Sequence, residues 1–204
     1  MKIRLPVLVE RHLGDTRAAQ TQAAHTFDES LHRDAETVSC RKGCAHCCHH
    51  PFLITISEAI LLYRHLAEQG DWTPAIRQRL ERTRDQVLSL SVEVWLLSHI
   101  PCPLLEHNVC AAYAGRPLHC RLTYSLGDPA DCHPHRLNAN TLLVDSTKEI
   151  VAFNREVQEG LRKRRGAIVL MPLSEALLLA EQVESGTLAF EDVAGQYLKD
   201  LHRA

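Results

Sequence analysis

The sequence has little charge of one sign. Lys and Arg number 23 against 25 Asp and Glu, a formal net charge of -2, so no overall field steers the chain onto nucleic acid or anionic lipid. It also lacks a long apolar run. The best stretch, 54–62, is interrupted by Thr55, Ser57 and Glu58, well short of the roughly 18 residues that suggest a membrane span. The apolar residues 5–9 are few and broken by Pro6, too short for a secretory core, and a cytoplasmic location is expected. No glycine-rich phosphate loop, Ser-His-Asp arrangement or clear carboxylate pair is present, which leaves the common nucleotide-binding and hydrolytic chemistries without a carrier. Aromatics are sparse at 5%, Met occurs twice, and no cysteine follows Cys132.

What is present is a globular composition with one anomaly. Hydrophobic residues make up 45% and charged residues 24% of 204, which excludes a disordered, collagenous or low-complexity chain and suffices for a sizeable core. A single domain over 1–204 is expected, with no internal repeat and no separating linker. The anomaly is 8 Cys and 13 His, with every cysteine between Cys40 and Cys132. In a reducing compartment, clustered thiols read as metal ligands or redox groups before disulfides.

Hydrophobic spacing is mostly helical. Ala19, Ala23, Phe27 and Leu31 recur at four-residue steps and predict a helix over 15–35. Thr55 and Glu58 match a capping box, predicting a helix over 56–69 that stops at Gly70. Thr73 followed by Pro74 starts another, and Ile76, Leu80, Val87, Val94 and Leu97 extend its stripe to about Ser98, although Val92 and Val94 would also suit a strand. Five prolines and two glycines in 100–135 predict a loop-rich segment that something must organise. Ser146 and Glu149 form a second capping box, for a helix ending at Gly166 whose basic run 162–165 complements the helix dipole. Helices over 174–184 and 190–202 complete a C-terminal helical part, 146–204, expected to pack on the cysteine-rich region.

The first cysteines read Cys40, Cys44, Cys47, Cys48, a C-x3-C-x2-C-C string with Gly43 before the second thiol. A C-x2-C turn lets two sulfurs converge on one metal while backbone amides face the thiolates. Adjacent Cys47 and Cys48 point differently, toward two metals or toward one ligand and one neighbour. Cys102, Cys110, Cys120 and Cys132 follow with seven, nine and eleven residues between them. No second C-x2-C exists, so the zinc-ribbon template fails, although eight thiols suit two sites of four. His46, His49, His50, His107, His119, His133 and His135 flank the thiols; each is read as a solvated or supporting histidine, with direct ligation as the minority reading.

The string from Cys40 to Cys48, then Cys102-Pro-Leu-Leu, then Cys110-Ala-Ala-Tyr113 with Arg116-Pro117 and Cys120-Arg121, resembles the CxxCxxCC family, the YkgJ-like cysteine cluster proteins described as zinc- or iron-chelating. The match covers about residues 38–125. It departs in the extra residue between Cys40 and Cys44, and Cys132 lies outside the strongest part of the pattern. The resemblance implies a metal region over 38–135, with Cys40, Cys44, Cys47, Cys48, Cys102, Cys110, Cys120 and Cys132 as ligand candidates. Arg116 and Arg121 would then offset thiolate charge and hold the loop by hydrogen bonds; Tyr113 would cover it.

Cys40, Cys44 and Cys47 also have the spacing with which radical S-adenosylmethionine enzymes hold a [4Fe-4S] cluster, and a flagellin-lysine methylating branch is attributed to the wider family. Against radical chemistry stand the few strands, the absence of repeated βα units and His46 where such enzymes carry an aromatic. The expectation is a mainly α fold, a helical domain with a loop-rich, cysteine-coordinated centre. It would chelate iron, including as an iron-sulfur cluster, or zinc, for a structural or redox role. The alternatives are a cluster-dependent enzyme such as a protein-lysine methylation factor, and a metal donor or store. The metal ion is the expected partner; nucleic acid and membrane are not, and nothing names a protein partner.

Overall fold

A computed structural model describes residues 5–33, 43–122, 128–132 and 170–202. The described residues are mostly helical: α1 (Val7–Arg33), α2 (Ile56–Gln69), α3 (Pro74–Leu88), α4 (Val92–Leu97), α5 (Leu118–Leu122), α6 (Leu173–Ser185) and α7 (Val193–Leu201). Four short strands, β1 (Leu53–Thr55), β2 (Leu105–Glu106), β3 (Val109–Cys110) and β4 (Leu170–Pro172), pair as β1 with β4 and β2 with β3. No described helix is long and apolar enough to cross a membrane. The second capping box and the helix expected after it lie outside the described residues.

α1 begins at Val7, upstream of the expected start, because Leu5, Val9 and Leu13 already supply a buried four-residue stripe, and the Pro6 carbonyl accepts from the Val9 and Glu10 amides. α2 forms as expected. The Thr55 hydroxyl accepts from the Glu58 amide at 3.2 Å, and the Glu58 carboxylate returns to the Thr55 amide at 3.0 Å. α3 starts with the Thr73 hydroxyl on the Ile76 amide but ends ten residues short of the expected Ser98. The Ser89 hydroxyl donates to the Gln86 carbonyl and Ser91 caps a new helix by accepting from Val94. The stripe that predicted one long helix therefore breaks: Val94 and Leu97 face solvent.

The core lies among α2, α3 and α6, with α1 against α2 and α5. Its side chains are aliphatic: Ile56, Ile60, Leu62, Leu66, Leu80, Leu177 and Leu179 are all but inaccessible. Arg64 on α2 ties three helices, reaching Glu10 on α1 at 2.8 Å and Glu184 on α6 at 2.9 Å. The two carboxylates hold its guanidinium firmly protonated. On α6, Glu181 accepts from the Trp72 indole at 2.9 Å and from Arg77 at 2.8 Å.

A repeat missed in the sequence organises this core. Ile54 pairs with Met171 at the centre of an antiparallel ladder, flanked by Leu53 with Pro172 and Thr55 with Leu170. Each strand runs directly into a helix, one reading Ile56-Ser57-Glu58-Ala59-Ile60-Leu61-Leu62 and the other Leu173-Ser174-Glu175-Ala176-Leu177-Leu178-Leu179. Both helices end at a left-handed glycine, Gly70 at φ 78° and Gly186 at φ 74°. The two copies differ at the cap. Pro172 stands where Thr55 does, with neither hydroxyl nor amide hydrogen to give. Glu175 is accordingly 1% exposed with Oε1 lacking a hydrogen-bond partner. Burial, then the nearby Asp200 carboxylate, push its carboxyl up to about 7.

Candidate metal centre

The loop-rich segment is organised by a hairpin that the sequence reading did not find. β2 and β3 are joined by His107 and Asn108, both left-handed at φ 50° and 61°, as a two-residue primed turn requires. This puts His107 at the tip and sets Cys110 opposite Leu105. The Cys102 amide donates to the Cys48 carbonyl at 2.7 Å, joining the two cysteine stretches. Cys47 and Cys48 lie in a 3-10 turn, His46–His49, and Gly43 precedes Cys44 at φ 90°.

α5 carries Cys120 and is set in place by α2. The second oxygen of Glu58 accepts from the Leu118 amide at 2.9 Å, so one carboxylate caps α2 and also anchors the start of the cysteine-bearing helix. Its capping role is readable from spacing; the second role joins residues far apart in the chain and is not. His119 stacks on Phe52, with centroids 5.2 Å apart and planes parallel, and burial lowers its pKa. His50 Nε2 donates to the Cys132 carbonyl at 3.0 Å, tying the turn at Cys132 to the first cysteine string.

Six thiols meet at one cavity of about 290 Å³: Cys44, Cys47, Cys48, Cys102, Cys110 and Cys120. Phe52, Leu62, Leu104 and Leu173 complete much of its wall, and His50, His119, Tyr113 and Arg116 also border it. Cys132 is buried but does not line it. Cys40, His133 and His135 lie outside the described residues, and no disulfide joins the seven described cysteines to one another. Arg116 stands among the thiols, its guanidinium 3.6 Å over the Tyr113 ring. Arg121 does not line this cavity; it donates to the carbonyls of Arg116, at 2.8 Å, and Ala114, bracing the loop that carries Arg116. His46, His49 and His107 do not border the cavity.

Electrostatics make these thiols a group. The Cys48 thiol and then burial push Cys47 far up. Burial raises Cys102 to about 12, and the Leu104 and Leu105 amides pull against it. Burial also raises Cys110, opposed by the Ala112 amide and Arg116. Cys120 rises well above the ordinary thiol range through burial, then through the proximity of Cys102, Cys47 and Cys110, with Arg116 opposing. Several thiols that close cannot ionise together without a cation among them.

The donor chemistry fits a soft metal: sulfur ligands, backbone amides directed at two of them, and an arginine that offsets charge. Among the described residues, however, no three Cys, His, Asp or Glu side chains already form a group able to grip one ion. The cavity and its sulfur donors are in place, and Cys40, which lies outside the described residues, is a further donor of the same string.

Comparison with known families places the segment that carries these thiols in a metal-chelating family. The family model "CxxCxxCC: Putative zinc- or iron-chelating domain" matches residues 39–149. The chain belongs to that family. The match exceeds half of the chain and spans all eight cysteines. The CxxCxxCC segment of this chain is a metal-binding domain. No curated protein and no solved structure matches the chain.

Proposed function

We propose that the CxxCxxCC region holds a polynuclear thiolate centre, iron in preference to zinc, with a redox role. The observation that carries this is the number of thiols on one cavity. A single tetrahedral ion takes four ligands, whereas six cysteines border this enclosure, with Cys40 and Cys132 as further ligands close in sequence. An iron-sulfur centre, when bound, would supply one-electron chemistry tuned by burial and hydrogen bonds to sulfur. The chain's own groups serve that tuning. The Leu104, Leu105 and Ala112 amides favour the thiolate forms of Cys102 and Cys110. Arg116 offsets charge, Arg121 braces the Arg116 loop, and Phe52, Leu62 and Leu104 restrict water.

Zinc is the second reading, supported by His50 and His119 on the same cavity wall, since zinc sites commonly mix cysteine and histidine. The main buried cluster of the described residues contains no cysteine; Cys102 and Cys110 only pack against it. This supports a centre added to a self-sufficient helical core over one that staples it.

The test is purification without air, followed by visible absorption and iron, zinc and acid-labile sulfide content per chain. Brown protein carrying iron and sulfide is expected, and colourless protein with stoichiometric zinc would establish the second reading. Metal-free protein that takes up neither metal on reconstitution, or a Cys47→Ser, Cys102→Ser double variant with unchanged metal content, would defeat the proposal.

A further inference from the structure

α7 is lightly attached to the core. Of its nine residues only Val193 is buried. Phe190, in the turn before it, and Tyr197 pack half-buried against the core cluster, while Leu198 and Leu201 face solvent. No side chain caps its start. An uncapped helix of this length is not held in water by propensity, so α7 persists through whatever docks it.

What α7 presents to α6 is a second carboxylate. Glu175 on α6 is enclosed and lies within hydrogen-bonding reach of Asp200 on α7. Both Asp200 oxygens accept from the Gln196 amide, at 3.1 and 3.0 Å, which marks Asp200 as the acceptor of the pair and Glu175 as the partner that carries the proton. Two carboxyl groups in contact are held by a proton between them and driven apart without it. The other groups acting on Glu175 do not replace that proton. Arg84 and Asp85 come from α3, and Arg84 spends its Nε and Nη2 on Asp85, at 2.9 and 2.7 Å. Tyr197, on α7, is a neutral phenol whose ionisation burial and Glu175 both oppose.

We infer that Glu175 and Asp200 form a proton-held latch that docks α7 on α6, and that loss of the proton opens α7 as a unit while the rest of the core stays closed. The inference is independent of which metal occupies the thiol centre. Opening returns the Glu175 carboxyl to water, where its pKa is 4.5 in place of about 7. Opening therefore rises as pH climbs through that interval and is level above it. Hydrogen–deuterium exchange of the full-length, metal-loaded protein at pH 5 and pH 8, read by mass spectrometry and corrected for the intrinsic effect of pH on exchange, tests this. Protection of the α7 amides should fall on the order of fiftyfold between the two, and at pH 8 should lie at least about tenfold below that of α2 and α6. Glu175→Gln should confine the fall to within about threefold, and other titrating groups, the thiols included, cancel between parent and variant. Asp200→Asn leaves burial alone to act on Glu175 and should make the fall about fivefold smaller than in the parent. Glu191→Gln, exposed in the turn before α7, should keep the parent's fall. Protection of α7 that does not change with pH, a parent-like fall in Glu175→Gln or Asp200→Asn, an equal loss of the fall in Glu191→Gln, or α7 exchanging in step with α2 and α6 at pH 8 would overturn the inference.

Discussion

Replacing Glu175 by Gln should make the protein more stable at alkaline pH and remove one component of its pH dependence. Glu175 is buried at the start of α6, with one oxygen unpartnered and Asp200 beside it, and its pKa rises from 4.5 to about 7. The folded chain therefore keeps a proton there that the unfolded chain has lost. For a carboxyl raised in the folded state, stability is greatest below about 4.5, falls as pH climbs through the interval to about 7, and is level above it. At 1.36 kcal/mol per unit, the loss across that interval is about 3 kcal/mol. Glutamine imitates the protonated carboxyl and donates to Asp200 without titrating. Urea unfolding followed by helical circular dichroism at pH 5 and pH 8, for parent and variant, isolates the effect, because other groups cancel in the difference. The variant should match the parent within about 1 kcal/mol at pH 5 and exceed it by about 2–3 kcal/mol at pH 8. Equal differences at the two pH values would refute the reasoning, since they would mean that Glu175 does not change protonation between them.

Other consequences are as direct. Glu58→Ala removes both the α2 cap and the anchor on Leu118; it should cost about 1–3 kcal/mol by urea unfolding and speed metal loss to a chelator, because Cys120 rides on the freed helix. Cys47→Ser should lose metal while its far-ultraviolet circular dichroism stays parent-like, given a main buried cluster built without thiols; loss of the helical signal would instead make the metal a structural staple. Gly115→Ala would force its Cβ against His65, 2.5 Å from the ring and 3.1 Å from its Cβ, a collision worth about 1–3 kcal/mol in thermal or urea unfolding. Leu62→Ala, in a fully enclosed position between core and thiol cavity, should cost about 2–5 kcal/mol by the same assay.

What was legible in the sequence was local. The α2 cap needs only Thr55, Glu58 and Gly70, and the start of α3 only Thr73 and Pro74, so both could be read directly. The end of α3 was not readable from its stripe, because Ser89 and Ser91 offer the backbone competing hydrogen bonds that periodicity ignores. The hairpin escaped because His107 and Asn108 adopt the left-handed turn without the Asn-Gly signal that announces it. β1 and β4 are three residues each and pair across more than a hundred residues of chain, a register that no local pattern carries. The cysteine spacing led to the family whose model matches residues 39–149. It could not show that six thiols would share one cavity that Cys132 does not line, since that depends on Glu58, Phe52 and the Cys48–Cys102 backbone bond.

The paired strand–helix units have a consequence for how this protein can change. In a homodimer of identical units, one codon would govern both copies, and a proline placed at the cap would strip the anchoring bonds from each at once. Here the two units lie in one chain and mutate independently. Thr55 holds its cap, and through Glu58 the position of Cys120, while Pro172 offers no cap and the matching glutamate, Glu175, is a buried acid beside Asp200. One unit can thus conserve the metal centre while the other acquires a different chemistry at no cost to it.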